Sequence, residues 1–262
     1  MAMQALSKAK LRLFTGLQLK KIRYEEGLFV AEGLKMCREA MASDYQIEAI
    51  VVQKGTEIPD DLALPLNLCH EASPDDFKKL TTQVSPEGIL TVLRFPGAPL
   101  CHLDAPVDTL PQGPAFVLAA IQDPGNLGTI LRTSDWFGMP SLICGPGTVD
   151  PFNPKVLRSS MGSLFRVRLY LLSNLEEWIQ RNAKLIWCAD MEGESLEQIN
   201  LAERPFVLLG NEALGVSSEI AAMDGLRRVT IPRIGNAESL NAATAASILA
   251  WNMAFPSNKA GK

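Results

Sequence analysis

The sequence contains few of the residues that build metal sites and disulfide frameworks. Only two histidines occur, and neither His70 nor His102 has a Glu or a second His at the spacing of a helical metal site. The five cysteines lie more than thirty residues apart, so no C-x-x-C pair exists. These absences argue against a disulfide framework and a thiolate zinc site. We expect no metal, and any catalysis has to proceed without a histidine cluster.

Long hydrophobic runs are also missing. Charged residues or proline interrupt every apolar stretch before the roughly 20 residues that a membrane-spanning helix needs. The amino terminus has no signal-peptide core, because Lys8, Lys10 and Arg12 come before any long apolar stretch. With 47% hydrophobic and 21% charged residues, the composition is that of an ordinary globular protein. The sequence therefore predicts a cytoplasmic protein.

The common nucleotide-binding and hydrolase motifs are absent as well. No G-x-G-x-x-G follows the first predicted strand of either half of the chain, and G-x-x-x-x-G-K-[ST] does not occur. A G-x-S-x-G nucleophile motif is missing too. Dinucleotide-binding enzymes, P-loop enzymes and serine hydrolases thereby lose their main support.

Positive charge is concentrated at the start of the chain, although the net charge of the whole is −4. Residues 1–38 carry eight basic and three acidic side chains, a local net charge of +5. Such an asymmetry is typical of a phosphate-binding surface. The solvated face of an amphipathic helix, predicted over residues 3–22, accounts for the same charge about as well.

The chain divides into two predicted α/β domains. Residues 1–95 form a small α/β unit, and a proline-rich linker is predicted at residues 96–112. Residues 113–262 alternate apolar strands, such as 206–209, with helical patterns. Strands that are apolar throughout favour a parallel sheet covered by helices on both faces.

Three polar segments that contain glycine follow predicted strands of the second domain. Residues 122–132 form a turn that opens a helix, and residues 208–216 form a glycine-bounded loop around Glu212. Loops at the carboxyl ends of parallel strands are where α/β sheets bind ligands. Taken alone, Asn126 could be a helix N-cap, Arg132 a surface base and Glu212 a turn acid.

The third segment, residues 231–241, runs from a strand to an alanine-rich helix. Ser239 is the predicted N-cap of that helix. Asn241 follows in the predicted first turn, where a polar side chain in a crowded place needs hydrogen-bond partners.

In order and spacing, the three segments resemble motifs one, two and three of the SpoU-type RNA 2′-O-ribose methyltransferases of the SPOUT superfamily. The residues of this sequence that match the three motifs are N-L-G-T-I-L-R, L-G-N-E-A-L-G and I-P-R-I-G-N-A-E-S-L-N-A-A-T-A. Residues 159–167 are similar to the family's segment between the first two motifs, and the likeness covers residues 115–254. Residues 20–33 are similar to the opening of a ribosomal-protein-like RNA-binding domain that often precedes these enzymes.

The resemblance implies a SPOUT trefoil-knot parallel-sheet catalytic domain preceded by a small α/β RNA-binding domain. It implies S-adenosylmethionine as cofactor. The residues that bind it belong to the second and third motifs and to the end of one predicted strand that precedes these motifs in the chain. These cofactor-binding residues are Ala189, Leu209, Gly210, Asn211, Ile231, Pro232, Ile234, Ser239 and Leu240. A side chain at Gly210 is expected to fill the space of the adenine.

The resemblance also implies the residues that act on the RNA. The catalytic set is Asn126, Arg132, Glu212, Ser239 and Asn241. Arg132 acts as a base or as the group that binds the adjacent phosphate, and the second role is favoured because an arginine side chain normally stays charged. The RNA-binding set is Lys20, Lys21, Arg23, Arg132, Arg158 and Arg166.

The family likeness further implies a homodimer formed through the knotted domain. The nearly all-apolar helix 242–254 and the aromatic residues near its end, Trp251 and Phe255, are consistent with such an interface. Ribosomal RNA is favoured over transfer RNA as substrate because of the front domain. The alternatives are a transfer-RNA methyltransferase and a noncatalytic RNA-binding assembly factor of the same fold. Methylation of a base nitrogen is disfavoured, since the S-L-N helix start resembles the ribose branch.

Overall fold

The fold is taken from a computed structural model, which describes residues 3–96, the backbone of residues 101–102, and residues 111–255. Most of the predicted linker 96–112, residues 97–100 and 103–110, lies outside the described residues. Contacts divide the chain into one unit of Met1–Gly97 with Asp150–Phe165 and a second unit of Ala98–Val149 with Arg166–Lys262. Within the described residues, every helix is too short or too polar to span a membrane.

The first unit contains a five-stranded mixed sheet in the order β1-β4-β3-β5-β2. β5 runs antiparallel to both β2 and β3, whereas β4 runs parallel to β3 and to β1. The strands are β1 (Gln4–Ala5), β2 (Leu28–Glu32), β3 (Ile47–Gln53), β4 (Cys69–Ala72) and β5 (Ile89–Arg94).

Helices cover both faces of this sheet. Along β3, Ala49 and Val51 join a core with Phe14 and Phe77, while Ile50 joins a second core on the opposite face, as the alternation of a strand requires. The helices of this unit are α1 (Lys8–Gly16), α2 (Lys20–Glu26), α3 (Leu34–Met41), α4 (Pro74–Leu80) and α6 (Pro154–Ser160), of which α6 comes from the later segment.

The amino-terminal residues differ from the single helix predicted over residues 3–22. The chain forms β1, then α1, and then α2, which ends at Gly27 with a φ of 64°. Ser7 caps α1 by accepting a hydrogen bond from the amide of Lys10. Apolar periodicity alone predicts a helix from residue 3. The N-cap Ser7 fixes the true start directly after it, so the predicted start is too early.

Residues 150–165 pack within the first unit, although they lie between strands of the second unit in the sequence. Asp150 pairs with Arg23, and both side chains are almost fully buried. Phe152 stacks on Phe95 with 4.5 Å between ring centroids and contacts Phe29 at 4.8 Å. The predicted linear boundaries, 1–95 and 113–262, remain a prediction.

The second unit contains a seven-stranded parallel sheet in the order β12-β10-β11-β7-β8-β9-β6. This confirms the predicted parallel-sheet α/β class. The strands are β6 (Cys101–His102), β7 (Ala115–Leu118), β8 (Ser141–Cys144), β9 (Arg168–Leu171), β10 (Ile186–Ser195), β11 (Phe206–Leu209) and β12 (Arg227–Thr230).

Helices flank this sheet, and two of them, α5 and α9, pack against each other. The helices are α5 (Pro124–Trp136), α7 (Leu175–Asn182), α8 (Ser218–Ala221) and α9 (Ala242–Ala254). On one face, Val117 and Ile143 of the sheet pack with Trp178 and Ile179 of α7. Short 3-10 turns complete the two units at Leu66–Leu68, Ser163–Phe165, Ala183–Leu185 and Leu201–Glu203.

Candidate active site

Two of the three motif loops start side by side at the carboxyl ends of β7 and β11. These strands are parallel neighbours with Leu118 opposite Leu209, and the amide of Ala119 donates to the carbonyl of Leu209 at 2.8 Å. The loop after β7 leads into α5, and the loop after β11 carries Glu212. Adjacent parallel strands therefore bring motifs one and two together.

Helix α5 begins with a complete capping arrangement. Asp123 is the N-cap, accepting a hydrogen bond from the amide of Asn126 at 2.8 Å, and Pro124 occupies the first turn. Asn126 is therefore a buried first-turn residue, and its interpretation as an N-cap is wrong. Asp123 was missed among the site residues, although an Asp-Pro pair is a recognisable signal of a helix start.

The Glu212 carboxylate binds the start of this helix. Its oxygens accept hydrogen bonds from the amides of Gln122 at 3.2 Å and Asp123 at 3.1 Å, and from Nδ2 of Asn126 at 3.0 Å. Burial alone would raise the pKa of Glu212, but these hydrogen bonds outweigh it and lower the pKa below its usual value. The carboxylate is thus held in its charged form and is poorly suited to act as a base near neutral pH.

Asn126 is also hydrogen-bonded to a residue of the third motif. Its Oδ1 accepts a hydrogen bond from Nδ2 of Asn241 at 2.9 Å. Oδ1 of Asn241 in turn accepts from the amides of Ala243 at 2.9 Å and Thr244 at 3.3 Å, so Asn241 is the N-cap of α9. Glu212, Asn126 and Asn241 form a continuous hydrogen-bonded chain, which we call the polar network.

Ser239 does not have the predicted capping position. It lies exposed in the irregular segment before α9, and Asn241 caps the helix two residues later. Both side chains can cap a helix, and the amide at 241 is the one that also reaches Asn126. As the cap of α9, Asn241 has the hydrogen-bond partners that were expected for a polar side chain at this crowded position.

Arg132 lies on α5 outside the polar network. It is exposed, six residues after Asn126, which corresponds to about 9 Å along the helix axis. Within the described residues its guanidinium has no hydrogen-bond or ion-pair partner. An arginine held on a rigid helix with all of its donors free is suited to bind an anion.

The predicted cofactor-binding residues come from three neighbouring strands, with Ala189 inside β10 directly after its last residue paired with β11 and the others at or after the ends of β11 and β12. Ala189 belongs to β10, Leu209 ends β11, and residues 231–240 follow β12. Ile234 and Leu240 are exposed apolar side chains in this last loop. Backbone groups together with uncharged side chains at strand ends fit the neutral adenine of a nucleoside cofactor.

Gly210 has a different constraint from the predicted one. A Cβ added there would lie 2.3 Å from the carbonyl carbon of Gly215 and 2.5 Å from the amide nitrogen of Val216. The space beside Gly210 is therefore filled by its own loop, and the residue is required for the loop to close. The expectation that a side chain at Gly210 would enter the adenine's space is corrected accordingly.

The predicted RNA-binding residues of the first unit differ in accessibility. Lys20 and Lys21 are exposed on α2, whereas Arg23 is buried. Nε of Arg23 donates to Asp150 at 3.1 Å, and its Nη1 donates to the carbonyls of Leu17 and Gln18, both at 2.9 Å. Its donors are used inside the protein, so assigning Arg23 to the RNA-binding surface is wrong.

Arg158 and Arg166 are partly exposed but engaged. Nη1 of Arg158 donates to Oγ1 of Thr82 at 2.8 Å and lies 3.8 Å from Glu32. In the second unit, Nε of Arg166 donates to Asp135 at 2.9 Å. A role in RNA binding for these two arginines remains a prediction.

Comparison with known proteins agrees with this site. Residues 114–251 match the SpoU rRNA Methylase family, and residues 8–91 match an MRM3-like substrate binding domain. The 23S rRNA (guanosine(2553)-2′-O)-methyltransferase RlmP of Bacillus subtilis is 34% identical over 248 residues, which cover 93% of this chain and 95% of that protein. Human mitochondrial rRNA methyltransferase 3 is 25% identical, over 90% of this chain and 70% of its own.

A solved structure shows the same architecture. The AdoMet-bound rRNA methyltransferase from Sinorhizobium meliloti matches with a TM-score of 0.79 and 29% identity, covering 95% of each chain. The family match spans the strands and loops that carry the polar network. The chain therefore belongs to the SpoU rRNA methylase family and is an S-adenosylmethionine-dependent methyltransferase.

Proposed function

We propose that the protein methylates the 2′-hydroxyl of a ribose in ribosomal RNA. The observation that carries this proposal is the polar network, which joins Glu212, Asn126 and Asn241 from three separate motif loops. Arg132 extends from the same helix as Asn126, and its guanidinium has no partner among the residues that the structure describes. The names of the relatives, including a 23S rRNA 2′-O-methyltransferase, support ribosomal RNA as the substrate.

The chemical need is to make a weak nucleophile attack. Bound S-adenosylmethionine would supply a methyl group on a positively charged sulfur, which leaves as the neutral thioether when the carbon–sulfur bond breaks. The ribose oxygen forms the new bond to that methyl carbon, and its proton passes to solvent water. Arg132 supplies the positive charge of a planar guanidinium. We assign to Arg132 the binding of the phosphate next to the target ribose, with stabilisation of the developing alkoxide.

The polar network positions this reaction and does not accept its proton. Glu212 uses its oxygens to hold the start of α5, and its lowered pKa leaves little basicity at pH 7. Asn126 and Asn241 each have amide hydrogen-bonding capacity beyond the bonds that they make to each other and to Glu212. We assign them to orienting the ribose, with Ser239 completing the site from the loop before α9.

The residues proposed to hold the cofactor remain those predicted at the three strand ends. Leu209, Gly210, Ile231, Pro232 and Leu240 supply backbone and apolar contacts for the adenine. Ala189, Ile234 and Ser239 flank them. Asn211 is set apart from this group, because its side chain binds within the protein.

We also propose that the second unit forms a homodimer and contains a trefoil knot. Trp136 is 82% exposed, and Trp251 and Phe255 are each 57% exposed. These aromatic side chains belong to the ends of α5 and α9, which pack together, so they form an apolar surface that a second copy would cover. Met253, which lies between Trp251 and Phe255 in the sequence, is buried in its own unit. Light scattering at micromolar concentration should give twice the 28.5 kDa of one chain, and a monomer mass would refute the dimer.

The knot proposal has support from the chain path within the second unit. After β12, at one edge of the sheet, the chain returns to α9, which packs against α5 and contacts β11 inside the sheet. The family likeness implies that the carboxyl-terminal segment threads through a loop, and a return of the chain from the edge strand β12 past β10 to β11 is consistent with such a path. The proposed location is the cytoplasm, in keeping with the bacterial relative and its ribosomal substrate.

The test is a map of 2′-O-methyl groups in total RNA from cells with and without the gene. One site in large-subunit ribosomal RNA should disappear on deletion and return with the wild-type gene. Loss of a transfer-RNA site instead would replace the proposed substrate. An unchanged map would favour a noncatalytic assembly factor.

A further inference from the structure

Asn211 contacts the same stretch of backbone as its neighbour Glu212. Nδ2 of Asn211 donates to the carbonyl oxygen of Ala120 at 2.8 Å. Its Oδ1 accepts hydrogen bonds from the amides of Ala213 at 3.0 Å and Leu214 at 3.1 Å. Both ends of the side-chain amide are therefore used within the protein, and the donors and acceptor around it fix its orientation.

The loop that carries Asn211 is closed on itself. The amide of Asn211 donates to the carbonyl of Gly215 at 3.0 Å, and the amide of Gly215 donates back at 2.9 Å. Gly215 has a φ of 68°, which glycine adopts without strain. Asn211 thus projects from a short, doubly bonded loop, which makes it a firm anchor.

Ala120, the acceptor of this contact, has an unusual backbone conformation. Its φ is 57°, in the left-handed region that an alanine adopts only when its surroundings hold it there. Two and three residues later, the amides of Gln122 and Asp123 are held by Glu212. Asn211 and Glu212 therefore hold the segment 120–123 at two points, one by its carbonyl and one by its amides.

This segment determines where α5 begins. Asp123 is the N-cap of α5, and the helix carries Asn126 and Arg132. A shift of the backbone at residues 120–123 would move Asn126 relative to Glu212 and Asn241, the other two residues of the polar network. In enzymes, displacements of about 1 Å at such positions lower rates by as much as about a hundred-fold.

We propose that Asn211 is a positioning residue for methyl transfer, which holds residues 120–123 in the conformation that the polar network requires. This inference rests on the proposed function. Asn211 is among the residues predicted to bind the cofactor, and the structure shows its side chain in contact with the protein's own backbone. This role depends on Ala120 keeping its left-handed backbone conformation.

The test uses Asn211→Asp, which keeps the acceptor for Ala213 and Leu214 but places a carboxylate oxygen against the carbonyl of Ala120. Methyl transfer from labelled S-adenosylmethionine is measured on ribosomal RNA from a strain lacking the gene. We expect kcat to fall about ten- to a hundred-fold. The Kd for S-adenosylmethionine, measured by calorimetry, should change less than about two-fold, because the loop itself is kept.

A second substitution separates this role from general loop stability. Glycine takes a φ of 57° freely, so Ala120→Gly in the Asn211→Asp background should recover most of the lost kcat. Asn200→Asp is the matched control, because Asn200 caps a 3-10 turn of the same unit through its Oδ1 alone. This control should keep the wild-type kcat.

Several results would overturn the inference: a wild-type kcat in Asn211→Asp, an equal loss in the control, a matching loss of cofactor affinity, or no recovery with Ala120→Gly. Failure of the proposed function is distinguishable, because the wild-type protein would then transfer no methyl group to RNA. In that case hydrogen exchange still tests the contact. The amides of Gln122 and Asp123 should exchange faster in Asn211→Asp, and unchanged exchange would refute the positioning role.

Discussion

At the scale of single residues, the hydrogen bonds of Glu212 decide which of two roles this active-site carboxylate has, that of a base or that of a structural anchor. Three hydrogen bonds reach its oxygens, two from backbone amides and one from Asn126. A carboxylate that accepts this many bonds is a weak base and a strong anchor. We therefore assign to Glu212 the holding of α5 and to Arg132 the positive charge that the reaction needs.

Glu212→Gln tests this assignment. The glutamine amide offers one oxygen in place of two, so at least one of the three donors loses its acceptor. We predict that kcat falls about ten- to a hundred-fold through displacement of Asn126. Glu219→Gln, an exposed carboxylate on α8, is the control and should keep the wild-type kcat. Equal rates in wild type and Glu212→Gln would remove Glu212 from the site.

The pH dependence has a defined sign. Because the pKa of Glu212 is lowered in the folded state, its contribution to stability is present above its usual pKa of 4.5 and is lost as the pH falls through the folded value. Urea unfolding of Glu212→Gln should therefore show a weaker loss of stability than wild type below about pH 4.5. Between pH 6 and pH 8, Glu212 should contribute no ionisation to the rate profile.

Gly210 gives a second prediction at this scale. Any Cβ at residue 210 would overlap the backbone of Gly215 and Val216, so even Gly210→Ala has to open the loop. We predict a lower melting temperature together with loss of methyl transfer. Gly235→Ala is the control for the melting temperature, since a Cβ there has no other atom within 4 Å. A Gly210→Ala protein with normal melting temperature and activity would contradict the described loop.

At the scale of elements, the most consequential contact in the first unit is the buried ion pair between Arg23 of α2 and Asp150, four residues before α6. Their side chains are only 3% and 4% exposed. Tyr24 adds a hydrogen bond from its hydroxyl to Asp150 at 3.1 Å. The pair ties the later segment to the helix that precedes β2.

Asp150→Ala should destabilise the first unit strongly. Removing one partner of a buried ion pair leaves an unpaired buried charge, which costs about 3–5 kcal/mol. The measurement is chemical denaturation of the full chain, with spectroscopic signals assigned to each unit. Lys21→Ala is the control, because the Lys21–Glu25 pair is exposed and contributes less than about 0.5 kcal/mol. Equal effects of the two substitutions would refute the structural role of Asp150.

The elements also show where prediction from sequence succeeds. The helix start at Ser73-Pro74 and the apolar strand 206–209 could be predicted because local signals specify them. The convergence of Asn126, Glu212 and Asn241 was implied only by the family likeness, since strand order decides which loops meet. Arg23 could not be recognised as buried, because its partner is 127 residues away. Ser239 and Asn241 are both good caps, and only the tertiary contact to Asn126 decides between them.

At the scale of the whole molecule, RNA binding should depend on the exposed lysines of the first unit. Lys20→Ala with Lys21→Ala should weaken binding of ribosomal RNA and lower the salt slope by roughly one unit per lost phosphate contact. Filter binding over a range of salt concentrations measures this. Substituting the exposed Lys54, which lies after β3, is the control. If the double variant binds with wild-type affinity and slope, the surface of α2 is not the RNA platform.

The central claim is that Arg132, presented on the same helix as Asn126 of the polar network, enables methyl transfer to a ribose hydroxyl. The most direct measurement incubates purified wild type, Arg132→Ala and Arg132→Lys with labelled S-adenosylmethionine and ribosomal RNA from a strain lacking the gene. Wild type should place label on one ribose 2′-oxygen. Arg132→Ala should transfer none while binding the cofactor normally by calorimetry, and Arg132→Lys should be nearly as inactive because lysine lacks the planar fork. Wild-type transfer by Arg132→Ala would contradict the account.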